Sequence, residues 1–304
     1  MFWNKKIKVV VHNGKFHADD VFSVATFCIY KNISPNNLEI KRTRDEEEIK
    51  KADYVFDVGF VNDGETRFDH HQDGWAGKRI DGIPYASFGS LWKSFGEKIC
   101  DSKEVAEYLD KKIIESLDAE DNGVIIYNNI YDSIFPFTVS DLIHHMNPTD
   151  KEGVDKVDKF FVKAVEFAIN ILKREIKRAK DIVEIKHIAE IEIERIYSGT
   201  EDKRILILEK DLPWKDIVNK YNEPLFVISK NFSDGGWRID AVKDNPKIFK
   251  NRKDFPESWA GKEKEELALI SGVKDARFCH IRRFLCTAKT FDGAMEMAKI
   301  AVNN

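Results

Sequence analysis

The chain has 304 residues, is 42% hydrophobic and 34% charged, and carries a formal net charge of −4. That length supports two domains with substantial cores, and the composition excludes a disordered polypeptide. The acidic balance excludes a global basic field, so a nucleic-acid substrate has to be held by local patches.

MFWNKKIKVVVH runs directly into a predicted strand, Ile7 to Val11, and a signal or transit peptide is therefore not expected. His17 to Tyr30 has helical spacing, with Val21, Val24, Ala25 and Cys28 on one face. LEIKRTR (38–44) reads as a strand, DEEEIKKA as a short charged helix and YVFDVG (54–59) as a second buried strand. After the turn Asn62-Asp63-Gly64, RFDHH reads as another strand end, and SFGSLWKSFGEKIC and KEVAEYLDKKIIESLD read as helices. Strands alternating with helices argue for a parallel α/β sheet.

From Lys151 to about Ile196, apolar residues from Val154 through Phe161, Leu172 and Ala179 recur three or four apart. This spacing predicts one long amphipathic helix with a break near Lys180. Such a helix either packs a core or connects two domains and contributes to a homodimer interface. A second α/β unit follows: strand RILILE (204–209), a helix opening near Pro213-Trp214, strands PLFVISK and WRIDAVK, and the final helix FDGAMEMAKIAV. The expected organisation is a catalytic domain over 1–150, a helical connector over 151–195 and a smaller α/β domain over 196–304. No apolar run approaches the roughly eighteen residues of a membrane span. Cys28, Cys100, Cys279 and Cys286 stand singly, without zinc-ribbon or disulfide spacing, which points to a reducing compartment. A cytoplasmic protein with no membrane partner is expected.

Chemistry concentrates early. Four of the eight histidines fall within the first 71 residues, each in a segment that also carries aspartate: VVVHNGKFHADD carries His12, His17, Asp19 and Asp20, and RFDHHQ carries Asp69, His70 and His71. Mixed imidazole and carboxylate groups without cysteine suit manganese, iron or zinc better than calcium. His12 and His17 flank the loop Asn13-Gly14-Lys15-Phe16, which lets the chain turn so that both imidazoles face one crevice. Asp19 or Asp20 alone has a plain reading as a helix-start acid, but beside two histidines the metal reading prevails. Asp57 ends a buried strand, where an isolated carboxylate is costly unless paired or metal-bound, and it is a candidate bridge between two metals. Strand alternation sends Asp69 and His71 to one face and His70 to the other, although a strand end relaxes that rule. LDAEDNG offers Asp118 and Asp121. His144-His145 lacks an acid cluster and is read as structural.

These residues carry a resemblance. HNGKFHADD, FDVG, RFDHHQ, ASFGSLW, LDAEDNG, GGWRIDAV, FPESWAGKEKEEL and GVKDARFCH resemble, in order and spacing, the MYG1 family, which belongs to the DHH phosphoesterase superfamily. The resemblance spans nearly the whole chain. It implies a two-domain α/β fold with two divalent cations, Mn2+ first and Mg2+, Fe2+ or Zn2+ as alternatives, and hydrolysis of phosphodiesters or phosphoanhydrides. An animal member is regarded as a 3′–5′ RNA exonuclease, so RNA or an oligonucleotide is the implied substrate.

Carried over by resemblance, His12, His17 and Asp19 match the first metal motif, which usually has aspartate where this chain has His17. Asp57 resembles the bridging carboxylate, His70 the ligand of the signature triplet, and Asp121, preferred to Asp118, the acid completing the second position. Asp69 orients the neighbouring imidazole and His71 faces substrate phosphate, both in the catalytic machinery. Lys15 adds charge from its loop. Ser87 receives a phosphate at a helix start or is a plain N-cap. In the second domain, Gly235, Gly236, Trp237, Arg238 and His280 resemble a substrate-binding surface, with Trp237 stacking a base and Arg238 pairing with phosphate. The alternative for that segment is a glycine turn before a core strand. Ile281-Arg282-Arg283-Phe284 departs from the family by being more basic. The main rivals to an exonuclease are a small-molecule or cyclic-dinucleotide phosphohydrolase and a non-catalytic metal- or nucleotide-binding protein. Nothing forms a peptidase arrangement such as HExxH.

Overall fold

The computed structural model describes residues 6–72, 74, 76–231, 235–245 and 248–304. The chain divides into two compact units, Met1–Asp181 and Ile182–Asn304.

In the first unit, β1 (Lys8–Val11) leads into α1 (Ala18–Lys31), β2 (Glu39–Arg42), α2 (Glu46–Lys50), β3 (Tyr54–Phe56) and β4 (Arg67–Phe68). The four strands form one sheet in the order β2-β1-β3-β4, parallel throughout. Val9, Val10 and Val11 are fully buried, which explains the unbroken apolar run of β1: a parallel strand covered on both faces has no polar side. Register then does the positioning. Val11 pairs with Phe56, and Phe56 with Phe68, so the next residues of the three strands, His12, Asp57 and Asp69, emerge side by side at the carboxyl edge of the sheet. Open α/β sheets place their ligand crevice at this edge.

Helices follow: α3 (Ser87–Cys100), α4 (Lys103–Leu109), a π-helical turn at Asp110–Ile114, α5 (Glu115–Asp121) and α6 (Val139–His144). The single helix expected over KEVAEYLDKKIIESLD is thus interrupted by a wide turn. α7 (Val157–Gly199) is 43 residues long. The break expected near Lys180 is absent, because no proline or glycine occurs between Val157 and Ser198 to interrupt the hydrogen-bond ladder. Phe161, Val165, Ala168, Leu172, Ile176 and Ala179 are buried, as core packing of that stripe requires, whereas Val154 at its start is exposed.

The second unit contains β5 (Ile205–Leu208), α8 (Lys215–Val218), β6 (Phe226–Lys230), β7 (Trp237–Ala241), α9 (Lys264–Ser271), β8 (Ala276–Cys279), β9 (Leu285–Ala288) and α10 (Phe291–Asn303). Its sheet order is β5-β6-β7-β9-β8, with β5 and β6 parallel and the remaining pairs antiparallel. Alternation along β6 sends Phe226 and Ile228 into a core with Phe255, Trp259 and Met297, while Val227 faces Ala189 and Ile193 of α7. The hairpin β8-β9 and helix α9 are additions to the elements expected from sequence. No described helix is long and apolar enough to cross a membrane.

Candidate metal centre

The loop after β1 turns at Gly14, with φ +91°, and is latched from a distance: Asn147 accepts from the Phe16 amide at 3.0 Å and donates to the Phe16 carbonyl at 2.8 Å. This brings the His12 and His17 rings into a stack, centroids 4.5 Å apart. His17 caps α1, and its amide donates to Asp20 at 3.0 Å. Asp57 follows β3 in the left-handed region, φ +55°, a conformation that aspartate tolerates better than most side chains.

Around Asp57 two groups converge. Its Oδ2 lies 3.4 Å from His12 Nε2 and 3.8 Å from His17 Nδ1. Its Oδ1 lies 3.4 Å from His70 Nε2 and 3.6 Å from His71 Nδ1. His70 Nε2 is also 3.2 Å from Asp121 and 3.9 Å from Asp19. Among the described residues, three sets have their ligand atoms within 4.8 Å of one another: His12, His17, Asp57; Asp57, His70, His71; and Asp19, His70, Asp121. Asp57 and His70 are therefore close enough to share a bridge.

The hydrogen-bond inventory tests whether these residues suit a cation. His12 Nδ1 is 2.9 Å from the Asn13 carbonyl, which fixes that nitrogen as the donor and leaves the Nε2 lone pair facing Asp20 at 3.1 Å and Asp57. His70 Nδ1 is likewise engaged by Asn122 Oδ1 at 3.3 Å. His12 Nε2, His70 Nε2, Asp20 Oδ2 and both Asp57 oxygens are buried without a hydrogen-bond partner. Converging buried acceptors of this kind need a positive charge between them. Burial, with Asp121 and Asp57 nearby, holds Asp19 well above the usual carboxylate range. Burial also raises Asp57, against the pull of His70. For His70, burial pushes the imidazole down, but Asp121 and Asp57 outweigh it and lift it to about 11. The residues fit a divalent metal.

Asp69 sits beside the cluster rather than in it. Its Oδ1 accepts from His71 Nδ1 at 2.7 Å and from the His70 amide at 2.7 Å. That hydrogen bond orients the His71 ring and leaves Nε2 outward on a half-exposed side chain. Asp118 is spoken for elsewhere, ion-paired to Arg79 at 2.7 Å and accepting from the Gly89 amide at 3.0 Å. The carboxylate that reaches the cluster is Asp121.

Asp19 also has a partner that sequence did not suggest: its two oxygens accept from the Ser87 and Phe88 amides at 3.0 and 2.7 Å, capping α3 rather than its own helix. Ser87 is consequently not a phosphate receptor. It is fully buried, its hydroxyl donates to the Phe68 carbonyl at 2.6 Å and accepts from the Asp57 amide at 3.1 Å, and the N-cap position belongs to Ala86. Sequence reasoning grouped Asp20 with Asp19 beside the two histidines but left it out of the ligand set, and it passed over Asn122 and Asn147 as site residues. Asp20 had a signal, since an acid three residues past a cap reads as a capping pair; the two asparagines had none. Lys15 is exposed on its loop.

In the second unit, Asn231 donates to the Gly236 carbonyl at 2.8 Å and Gly235 to Asn231 at 3.0 Å, as the turn reading requires. Trp237 is partly buried, packing edge-on against Phe291 at 4.9 Å and against the core. Arg238 pairs with Asp240. His280 accepts from the Arg282 amide at 3.0 Å and stacks near Phe284. Arg238, Lys243, Phe249 and Arg282 line a cleft of 690 Å³.

Fold and site together define an α/β protein whose first parallel sheet carries, at its carboxyl edge, a buried histidine–aspartate cluster suited to metal. The MYG1 family model, described as an uncharacterised protein family (UPF0160), matches residues 8–302, and the chain belongs to that family. It is 31% identical over 322 residues to the MYG1 protein of Dictyostelium discoideum, covering 98% of this chain and 97% of the relative. It is 27% identical to a MYG1 protein of Schizosaccharomyces pombe, covering 99% and 98%. Identity to the Homo sapiens protein named MYG1 exonuclease is 26%, covering 96% and 85%.

Proposed function

We propose that the chain is a metal-dependent phosphoesterase of the DHH type that hydrolyses phosphodiester bonds of RNA or short oligonucleotides as a 3′–5′ exonuclease. The observation that carries this reading is Asp57: each of its buried oxygens faces a different set of histidines, and neither has a hydrogen-bond partner. Two relatives named MYG1 exonuclease support the choice of nucleic acid.

His12, His17 and Asp57 would hold one divalent cation, and Asp19, His70 and Asp121, with Asp57 shared, would hold a second, with Mn2+ the preferred ion. Cations in such a pair lower the pKa of an attacking water and offset the charge of a phosphoryl group. The protein does the rest. Asp69 fixes the His71 tautomer, with the proton on Nδ1 when the ring is neutral. Protonated, the ring also carries a proton on the outward Nε2 and donates it to a phosphoryl or leaving-group oxygen.

Asp57→Asn tests the bridge, because it keeps the shape of the side chain while removing its charge. The parent is expected to retain two manganese ions per chain by elemental analysis and to hydrolyse single-stranded RNA or DNA. The variant should retain at most one ion and lose hydrolysis by at least a hundredfold, with an unchanged circular dichroism spectrum. Activity within about threefold of the parent would remove the bridging role. Turnover confined to cyclic dinucleotides or pyrophosphate would move the substrate to the small-molecule class. Tight metal retention without turnover would leave a binding protein.

A further inference from the structure

Beside the metal centre, within the first unit, lies a cleft of 600 Å³ whose wall includes Asp57, His71, Arg44, Phe60 and Val61. Its volume is in the range of small-molecule and nucleotide sites. Phe60 is the anomaly. Its backbone occupies the left-handed region at φ +58°, where a bulky residue costs about 1 kcal/mol or more relative to glycine. Its ring is 67% exposed, so hydrophobic burial does not offset that cost. A strained backbone that delivers an aromatic ring to solvent argues for a role outside folding.

The strain is held in place by the catalytic machinery itself. Asp69 Oδ2 accepts from the Phe60 amide at 2.5 Å, and the Asp69 amide donates to the Val61 carbonyl at 3.1 Å. The other oxygen of the same carboxylate orients His71 at 2.7 Å. One aspartate thus fixes an exposed aromatic ring and an exposed imidazole at the same cleft. Arg44, which also lines the cleft, is anchored through Nη1 to the Asn13 carbonyl at 2.8 Å, in the loop between His12 and His17. Among the described residues no carboxylate pairs with it, which leaves guanidinium charge for an anion.

We infer that this cleft seats the terminal nucleotide of the substrate strand, with Phe60 stacked on its base and Arg44 paired with a phosphate. The inference rests on the phosphodiesterase reading and adds the site of base recognition. Stacking of a base on an aromatic side chain is tolerant of sequence, so the cleft selects for the presence of a base, not for its identity. Asp69 is then a positioning residue for both Phe60 and His71.

The test uses the full chain with manganese and three substrates: a short oligonucleotide, the same strand with an abasic terminal nucleotide, and bis(nitrophenyl) phosphate. The parent is expected to show a KM about tenfold lower for the strand carrying its terminal base than for the abasic one, within the range that loss of one stacking contact gives. Phe60→Ala should raise KM for the base-bearing strand about tenfold more than for bis(nitrophenyl) phosphate and erase the abasic discrimination, while Phe60→Tyr restores both. A terminal 2-aminopurine should be quenched on binding to the parent and to Phe60→Tyr, and not to Phe60→Ala. A parent indifferent to the terminal base, or equal quenching in all three proteins, would overturn the inference. If the parent hydrolyses no phosphodiester, the phosphodiesterase reading fails, and the 2-aminopurine signal still decides whether Phe60 stacks a base.

Discussion

Single residues carry most of the cost of this site, and Asp118 illustrates how the sequence hides it. Asp118 and Asp121 look interchangeable in LDAEDNG, yet they are three positions apart on a helix end, and only Asp121 reaches the histidine–aspartate cluster. Gly89 allows the other to bury itself: a Cβ at position 89 would lie 1.7 Å from Asp118 Oδ2. Burial pushes the Asp118 carboxyl up to about 7 even with Arg79 beside it. A carboxyl whose folded value stands above its unfolded value of about 3.9 stabilises the fold most when protonated, and that contribution is lost as pH rises through the folded value. Removing Arg79 raises the carboxyl further and strands its charge. Arg79→Met is therefore expected to cost about 3–5 kcal/mol at pH 8 and distinctly less at pH 5, measured by urea unfolding at both values. An equal loss at the two pH values would show that Asp118 is not the group left unpaired.

At the scale of elements, the strands and helices that build the cluster were legible because their signals are local. The apolar runs of β1 and β3 and the helical spacing of α1 read directly, and the charge-rich periodicity of α7 gave a long helix, though with a break near Lys180 that the structure does not have. Elements defined by partners were not: β8 and β9 have four residues each, and each exists because a neighbour supplies its ladder. The same divide separates site residues. Histidines and aspartates at strand ends announce themselves, whereas Asn147 sits 131 positions from Phe16 and acts through its amide alone. Its two hydrogen bonds to the Phe16 backbone are buried, so Asn147→Ala leaves an amide and a carbonyl unsatisfied at about 1–3 kcal/mol each. The loop that stacks His12 on His17 should loosen with them. Calorimetry is expected to give a lower melting temperature and weaker manganese binding. Unchanged manganese affinity in a destabilised variant would confine Asn147 to a structural role.

For the whole molecule, the question is how a chain of net charge −4 holds a polyanion. Part of the grip expected from sequence is engaged within the unit: Trp237 packs edge-on against Phe291, and Arg238 pairs with Asp240 while lining the cleft. What remains in the second unit is the cleft where Lys243 and Arg282 stand near the exposed ring of Phe249, at 4.6 and 5.9 Å from its centroid. Cations clustered on an aromatic face, with no carboxylate paired to either among the described residues, suit a nucleic-acid backbone. If the second unit grips the strand, each lost phosphate contact should reduce the slope of log affinity against log salt by nearly one. The double variant Lys243→Ala, Arg282→Ala is accordingly expected to flatten that slope by about two on a long single strand and to raise its KM several-fold, with a much smaller change on a dinucleotide. Trp237→Ala should instead lower the melting temperature without altering the slope, since its ring belongs to the core. An unchanged slope in the double variant would assign all polyanion binding to the first unit, where Arg44, at the cleft beside the histidine–aspartate cluster, is exposed with no carboxylate paired to it among the described residues.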